Sequence, residues 1–376
     1  MRCYGLKQEY MKRAIELAKQ GIGKVNPNPL VGAVIVKDGR IIGEGYHAGY
    51  GELHAERHAF SRLTEDAAGA ELYVTLEPCC HYGKQPPCTE AVIEHGIKKV
   101  YIGSDDPNTL VAGKGIRLLQ EAGIEVETQV MKEECDALNP VFFHYITTST
   151  PYVVMKYAMT MDGKIACDTG KSQWVTGEEA RCHVQETRNA LKGIMVGVQT
   201  VIIDNPKLTC RIPNGRNPVR IICDSHLRIP LESTVVQTAK EVPTIVATVS
   251  NEEEKVGALQ KAGVTVIKTE EADGRVDLQD LMHKLGKEKI DGILLEGGGT
   301  INQSALQSGI VNHVQIYLAP KIFGGSGKYT PVSGVGAKEP AQAYFLTNRK
   351  MQAIGDDILL EYDVAKHVAD GKEGGF

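Results

Sequence analysis

His54-Ala55-Glu56, Pro78-Cys79 and Cys88 are the residues that most constrain how this chain can fold. One imidazole and two thiolates are zinc donors, and a tetrahedral zinc with three protein ligands keeps its fourth corner for water. Their convergence requires the start of one helix, the end of one strand and the start of another helix to meet at a point. The flanking sequence supplies these elements: a helix from about His54 to Leu63, the strand Leu72-Tyr73-Val74-Thr75-Leu76 ending in Glu77-Pro78-Cys79, and a helix starting near Cys88 that stops at Gly96. A closed structural site would take a fourth protein ligand. Here Glu56 is instead a carboxylate left over for proton transfer.

Residues i and i+2 do not share a helix face. His54 and Glu56 therefore reach one metal only if His54 lies at the irregular first turn. His54 and His58 would share a face, as in helical zinc proteases, but those need Glu directly after the first His, where this chain has Ala55. His58 is expected to pack or cap. Cys80 and His81 stay open as ligands or as substrate contacts. Zinc lowers the pKa of its water from about 15.7 toward roughly 7, and Glu56 can carry protons from that water to a leaving amine. The set points to hydrolytic deamination of an electron-poor C–NH₂ carbon, as in the zinc base deaminases.

The surrounding pattern is α/β. Tyr10, Met11, Ala14, Ile15 and Ala18 recur at helical spacing, Val31–Val36 reads as a buried strand, and Asp38-Gly39 turns it back into Ile41-Ile42-Gly43. Strands at Lys99–Ile102 and Ile124–Val126 alternate with helices. A boundary is expected at Thr147-Thr148-Ser149-Thr150-Pro151, after a helix ending near Tyr145. A second α/β pattern follows, with strands at Tyr152–Lys156, Ile194–Gly197, Val219–Cys223, Ile293–Glu296, Val314–Leu318 and Asp357–Leu360. Glu296-Gly297-Gly298-Gly299-Thr300 is a strand–glycine turn–helix passage. It suits either a phosphate at a helix N-terminus or a plain tight turn, and it is not the G-x-G-x-x-G fingerprint.

A chain of 376 residues is comfortable for two domains. The net charge of -5 and the lack of any Lys/Arg run argue against nucleic acid as a partner. No apolar run approaches the roughly 20 residues of a membrane span. Nine scattered cysteines and no export signal favour the cytoplasm. Cys135, Cys167, Cys182, Cys210 and Cys223 are expected as small core residues.

Common base deaminases carry P-C-x-x-C, whereas eight residues, from Cys80 to Pro87, separate the thiols here. That loop, with His81-x-Gly83-Lys84-x-Pro86-Pro87-Cys88, resembles the bacterial bifunctional riboflavin-biosynthesis deaminase–reductase family. Asn28-Pro29-Leu30-Val31-Gly32, His47 and Ser104-Asp105-Asp106-Pro107-Asn108 extend the resemblance over most of the first 145 residues. It implies substrate contacts at Asn28, His47, Lys84, Asp106 and Asn108. In the second half, Lys156-Tyr157-Ala158-Met159-Thr160-Met161-Asp162-Gly163-Lys164-Ile165-Ala166, Ser172–Thr176, Val196–Val201 and Asp204–Arg211 resemble the reductase of the same pathway. The resemblance implies a dihydrofolate-reductase-like mixed sheet and NADPH. Ala158, Trp174, Thr200, Asp204, Ser225, Gly298, Gly299 and Thr300 would contact the cofactor. Ser172, Arg188, Leu208, Arg211 and Glu296 would contact the phosphoribosyl substrate, with the arginines suited to phosphate. Lys156 is placed to orient or polarise the sugar carbon that accepts hydride. Arg57, where an apolar residue is usual, and Met159 and Thr160 depart from the family pattern without removing a metal ligand.

The expected protein is α/β throughout: a cytidine-deaminase-like α/β/α sandwich over 1–146, a dihydrofolate-reductase-like mixed-sheet domain over 151–366 and a frayed tail at 367–376. Zn²⁺ would be held by His54, Cys79 and Cys88 with Glu56 as proton shuttle. The partners are small phosphoribosyl-pyrimidines, and the family implies a homo-oligomer. The rivals are a nucleoside or tRNA deaminase, against which the long inter-thiolate loop and missing basic patch argue, and a non-catalytic zinc module, which would recruit a fourth ligand.

Overall fold

Asp38 and Gly39 both have positive φ, 51° and 73°, as a two-residue hairpin turn of right-handed twist demands. They fold strand β1 (Gly32–Lys37) back onto β2 (Arg40–Tyr46). The computed structural model describes residues 2–365, so the expected tail at 367–376 lies outside the described residues. The chain divides into two compact units between Ser149 and Thr150.

The first unit continues with β3 (Glu71–Leu76), β4 (Lys99–Ser104) and β5 (Glu125–Glu127), in the sheet order β2-β1-β3-β4-β5. β1 runs antiparallel to β2 and β3, while β3, β4 and β5 are parallel. Alternation along β1 builds two layers. Val34 and Val36 face Met11, Ala14 and Leu17 of the helix Arg2–Ala18. Ala33 and Ile35 face Ala55, Ala59, Ala91, Val92 and Leu119 from the helices Ala55–Phe60, Cys88–Glu94 and Lys114–Glu121. A side chain at Gly32 would run into the Ala14 carbonyl, so glycine sets how closely the first helix approaches the sheet. The result is an α/β/α sandwich with the metal motif on the second helical layer.

The second unit contains β6 (Tyr152–Thr160), β7 (Gly193–Gly197), β8 (Val219–Cys223), β9 (Thr244–Thr248), β10 (Thr265–Lys268), the hairpin β11 (Glu271–Ala272) and β12 (Arg275–Val276), β13 (Gly292–Leu295), β14 (Val311–Ala319), β15 (Leu346–Ile354) and β16 (Asp357–Val364). The main sheet order is β10-β9-β8-β7-β13-β6-β14-β16-β15. Neighbours are parallel from β10 to β14 and antiparallel at β14–β16 and β16–β15, which makes the sheet mixed. Met195 and Ile221 enter one apolar layer, and Ile194, Val196 and Ile222 the other.

Two local expectations change, and one strand has no counterpart in the sequence reading. The helix at the boundary runs Pro140–Thr148 rather than ending near Tyr145. The Thr147 and Thr148 hydroxyls donate to the Phe143 and His144 carbonyls, and these i−4 bonds let two threonines stay helical. β15 carries no alternating apolar signal because nearly all of it is exposed. Cys182 is exposed rather than core, since its helix buries Ala180, Val184 and Gln185 on another face.

Candidate active sites

His54 is the residue before the helix Ala55–Phe60 and has extended backbone (φ −68°, ψ 160°). Its imidazole thus departs from the helix while Glu56 sits in the first turn. His54 Nδ1 lies 3.4 Å from Sγ of both Cys79 and Cys88, and the three donors lie within 4.8 Å of one another. Zn–S near 2.3 Å and Zn–N near 2.0 Å in a tetrahedron place N and S about 3.5 Å apart. The donors therefore fit zinc in type and spacing. The Cys88 N–H donates to Cys79 Sγ at 3.4 Å and the Thr89 N–H to the Cys79 carbonyl at 3.2 Å, holding the second helix start on the strand end. The Cys88 hydrogen bond and His54 lower the Cys79 pKa, while donation to Cys79 and burial raise that of Cys88.

Glu56 is buried, and desolvation raises its pKa above the usual carboxylate range. It stands beside the three donors, in contact with Cys88. His47 completes this wall. Its ring centroid is 5.4 Å from that of His54, edge to face. Nδ1 lies 3.0 Å from the Leu53 carbonyl and Nε2 3.1 Å from Asn28 Nδ2. A carbonyl only accepts, so these partners assign the proton to Nδ1 and leave Nε2 accepting from Asn28. Burial lowers the His47 pKa and keeps the ring neutral. Asp106, also buried, is raised to about 6 by desolvation; its carboxylate accepts the Asn108 N–H at 2.8 Å. Asn108 in turn accepts the Leu110 N–H at 3.0 Å.

His58 lies outside the donor cluster, with Nδ1 2.8 Å from the Tyr46 carbonyl. Cys80 is outside it too and donates to the Leu110 carbonyl at 3.6 Å, and His81 does not join it. The inter-thiolate loop is fastened from several sides. Arg57 donates to the Pro86 and Pro87 carbonyls at 3.1 and 2.8 Å, Gln85 to the Gly51 carbonyl at 3.3 Å, and Lys84 sits 3.9 Å over the Tyr50 ring. Arg57, a mere departure in the sequence, thus anchors the residues just before Cys88. Glu77 was missed: it is buried and accepts the Gly113 and Ile116 N–H groups at 3.0 and 3.3 Å, tying the segment after Asn108 to the strand that carries Cys79. No pattern in the sequence distinguishes it from a solvated glutamate.

In the second unit a cavity of about 1030 Å³ opens along the C-terminal ends of β6, β7, β8 and β13. Ala158, Trp174, Thr200, Asp204, Ser225, Gly298, Gly299 and Thr300 all line it, as do Lys156, Ser172, Arg188, Leu208, Arg211 and Glu296. The glycine turn divides its labour. A side chain on Gly297 would strike Ile301 and one on Gly299 would strike Ser333, whereas Gly298 faces open space. Gly299 opens a helix to Gln307, so a phosphate has both an approach and a helix N-terminus. Trp174 is 61% exposed, with the Arg181 guanidinium 4.7 Å from its ring centroid, and is not a core residue. Leu208 is held at φ 51°, against the cost of that region for a side chain with a Cβ.

Arg188 is not an open phosphate fork. It donates to both Glu296 oxygens, at 2.6 and 3.1 Å, and to the Thr209 carbonyl at 2.9 Å. Burial alone would raise the Glu296 carboxyl, but Arg188 and Lys156 outweigh it and hold it at about 2. Lys156 Nζ is 3.8 Å from Glu296, and burial lowers its pKa more than that carboxylate restores. The shorter Arg188 contact is therefore the main ion pair. Arg211 has an exposed side chain at this cavity and makes no comparable pair.

Residues 5–104 match the cytidine and deoxycytidylate deaminase zinc-binding region, and residues 151–360 match the RibD C-terminal domain. The chain is 57% identical over 356 residues to riboflavin biosynthesis protein RibD of Actinobacillus pleuropneumoniae, covering 95% of each. It is 42% identical over 371 residues to RibD of Bacillus amyloliquefaciens, covering 98% of each. A crystal structure of a diaminohydroxyphosphoribosylaminopyrimidine deaminase/5-amino-6-(5-phosphoribosylamino)uracil reductase from Thermotoga maritima superposes with a TM-score of 0.86 at 39% identity, covering 96% of this chain and 99% of that one. With a zinc-type donor set beside a buried glutamate in one unit and a phosphate-ready cavity in the other, the chain belongs to the RibD family of riboflavin biosynthesis proteins and is a bifunctional deaminase and reductase.

Proposed function

We propose that the first unit hydrolyses the amine of 2,5-diamino-6-ribosylamino-4(3H)-pyrimidinone 5′-phosphate, releasing ammonia, and that the second reduces the ribosyl group of the product to ribityl. The observation that carries this reading is the buried Glu56 beside the His54, Cys79 and Cys88 donors. Zinc held by these three donors would supply a Lewis acid that lowers the pKa of water toward roughly 7. Glu56 would carry a proton from the attacking water to the departing amine, and its raised pKa suits both halves of the transfer. Asn28, His47, Asp106 and Asn108 orient the pyrimidine, and Lys84 serves its phosphate from the loop.

NADPH supplies the hydride in the second unit. Ala158, Trp174, Thr200, Asp204, Ser225 and the turn Gly298-Gly299-Thr300 position the cofactor. Ser172, Arg188, Leu208, Arg211 and Glu296 meet the phosphoribosyl group, and the Arg188–Glu296 pair also steadies Lys156. Lys156, with its lowered pKa, can give up a proton at the sugar as hydride arrives. Domain roles over 1–146 and 151–366, a cytoplasmic location and a homo-oligomer belong to the same proposal.

The test is a coupled assay of ammonia release and NADPH oxidation, with zinc measured in parallel. The expected result is NADPH oxidation only after deamination. Oxidation with the undeaminated compound, and none with the deaminated one, would overturn the order of the two steps.

A further inference from the structure

Trp174 is the one tryptophan of the chain, and it stands exposed at the reductase cavity. An indole so exposed has few buried contacts to fix it. Its backbone has little regular structure to lean on. Residues 161–177, between β6 and the helix Glu178–Ala190, form neither strand nor helix. Among the described residues, none of 172–176 makes a backbone hydrogen bond to another segment's backbone. Yet five consecutive residues, Ser172 to Thr176, line the cavity. Side chains from elsewhere must hold them.

Two cations do so. Lys321 Nζ donates to the Trp174 carbonyl at 3.1 Å and to the Val175 carbonyl at 2.7 Å. Arg181 donates to the Thr176 carbonyl at 2.8 Å, and its guanidinium lies 4.7 Å from the indole centroid. Three successive carbonyls are thus taken by charged donors, whose bonds are stronger than those of neutral ones. Arg181 belongs to the helix that continues the segment. Lys321 comes from 146 residues beyond Val175, and it alone of the two ties the segment to the far side of β6.

The root of Lys321 is itself fixed. It follows the end of β14 by two residues. Its N–H donates to the Ala319 carbonyl at 2.7 Å, and its carbonyl accepts the Met161 N–H at 2.8 Å. Asp162 accepts the Phe323 and Gly324 N–H groups at 3.2 and 2.8 Å. The chain leaving β14 and the chain leaving β6 therefore form one framework, and Lys321 is its arm to Trp174. Lys321 does not line the cavity. Whatever it does for a ligand there, it does through Trp174 and Val175.

We propose that Lys321 is a positioning residue of the reductase, fixing Trp174 at the cavity so that the indole meets the coenzyme. The inference rests on the reading that NADPH contacts Trp174. A ligand that docks on a surface already in place loses less free energy to ordering than one that must order the surface itself. Without Lys321, coenzyme binding has to order 172–176 as well. That cost weighs on ground state and transition state alike, so it falls on KM more than on kcat.

Because the chain has a single tryptophan, all tryptophan emission comes from Trp174. Lys321→Met keeps the length of the side chain and removes its donors, whereas Lys321→Arg keeps donors. In the full-length protein without ligand, Lys321→Met is expected to lower the fluorescence anisotropy of Trp174. In steady-state kinetics it is expected to raise the NADPH KM about tenfold with a smaller change in kcat. Lys321→Arg should recover most of both. An unchanged NADPH KM in Lys321→Met overturns the proposal, as does equal impairment of Lys321→Met and Lys321→Arg. Should Lys321→Met fail to fold by circular dichroism, Lys321→Gln replaces it under the same criteria. Reduced nicotinamide absorbs where tryptophan emits, so bound NADPH quenches a nearby indole. NADPH oxidation by the wild type without such quenching overturns the reading that NADPH meets Trp174, and the proposal with it.

Discussion

Arg188 grips Glu296 through Nε and Nη2, at 2.6 and 3.1 Å, and both side chains are nearly buried. This pair ties the helix Glu178–Ala190 to the end of β13, on the wall of the reductase cavity where Lys156 also stands. Both residues look like substrate ligands in the sequence, yet each is the other's principal partner.

Removing one partner of such a pair strands the other charge. Glu296→Gln is expected to cost about 3 kcal/mol at pH 7, read by urea unfolding. The sign with pH follows from the depressed Glu296 pKa. The pair's contribution is full above the ordinary value of 4.5 and is lost as pH falls through about 2. The stability gap between wild type and variant should therefore shrink between pH 4.5 and 2, and a gap independent of pH there would contradict the assignment.

Arg211, unlike Arg188, is held in no ion pair among the described residues, and under the proposed function it meets the substrate phosphate. Arg211→Ala should raise the reductase KM about tenfold or more with a smaller change in kcat, as loss of uniform binding does. A kcat loss with unchanged KM in steady-state kinetics would count against that role.

Glu56 contacts Cys88 but lies outside the donor set. Glu56→Gln should keep one zinc per chain by metal analysis and lose roughly 10² to 10⁴ in ammonia release. Loss of zinc together with activity would make Glu56 a ligand instead.

Cys80 and Cys88 separate the two readings of the thiols. Cys88→Ser should abolish stable zinc binding, whereas Cys80→Ser, which loses only a 3.6 Å contact to the Leu110 carbonyl, should retain it. Equal zinc loss in both variants would add Cys80 to the ligand set.

Arg57 holds two consecutive carbonyls next to Cys88. Arg57→Leu should release zinc to a chelator several-fold faster, with Arg57→Lys partly restoring retention, because each charge-assisted bond contributes about 1.5–3 kcal/mol. Unchanged release in Arg57→Leu would reduce the contact to a surface ornament.

Much of the metal site is legible in the chain because its chemistry is local. The His-x-Glu spacing forces His54 before a helix, the Pro-Cys pair ends an apolar strand, and Asp38-Gly39 announces its own turn. β15 is not legible, since an exposed edge strand needs no apolar alternation. Cys182 reads as core by residue type but lies on an outer helix face.

By itself the sequence determined the donor set, the α/β rhythm of both units and the glycine turn after β13, because donor type, hydrophobic period and backbone freedom are properties of neighbouring residues. Only the tertiary structure decided which charges are already paired. Arg188 and Glu296 are 108 residues apart, Ser225 and Val276 are 51 apart, and Arg57 meets Pro87 across 30. Whether an arginine is a ligand's partner or a wall's brace depends on what the fold brings within hydrogen-bond reach, and no local pattern encodes that distance.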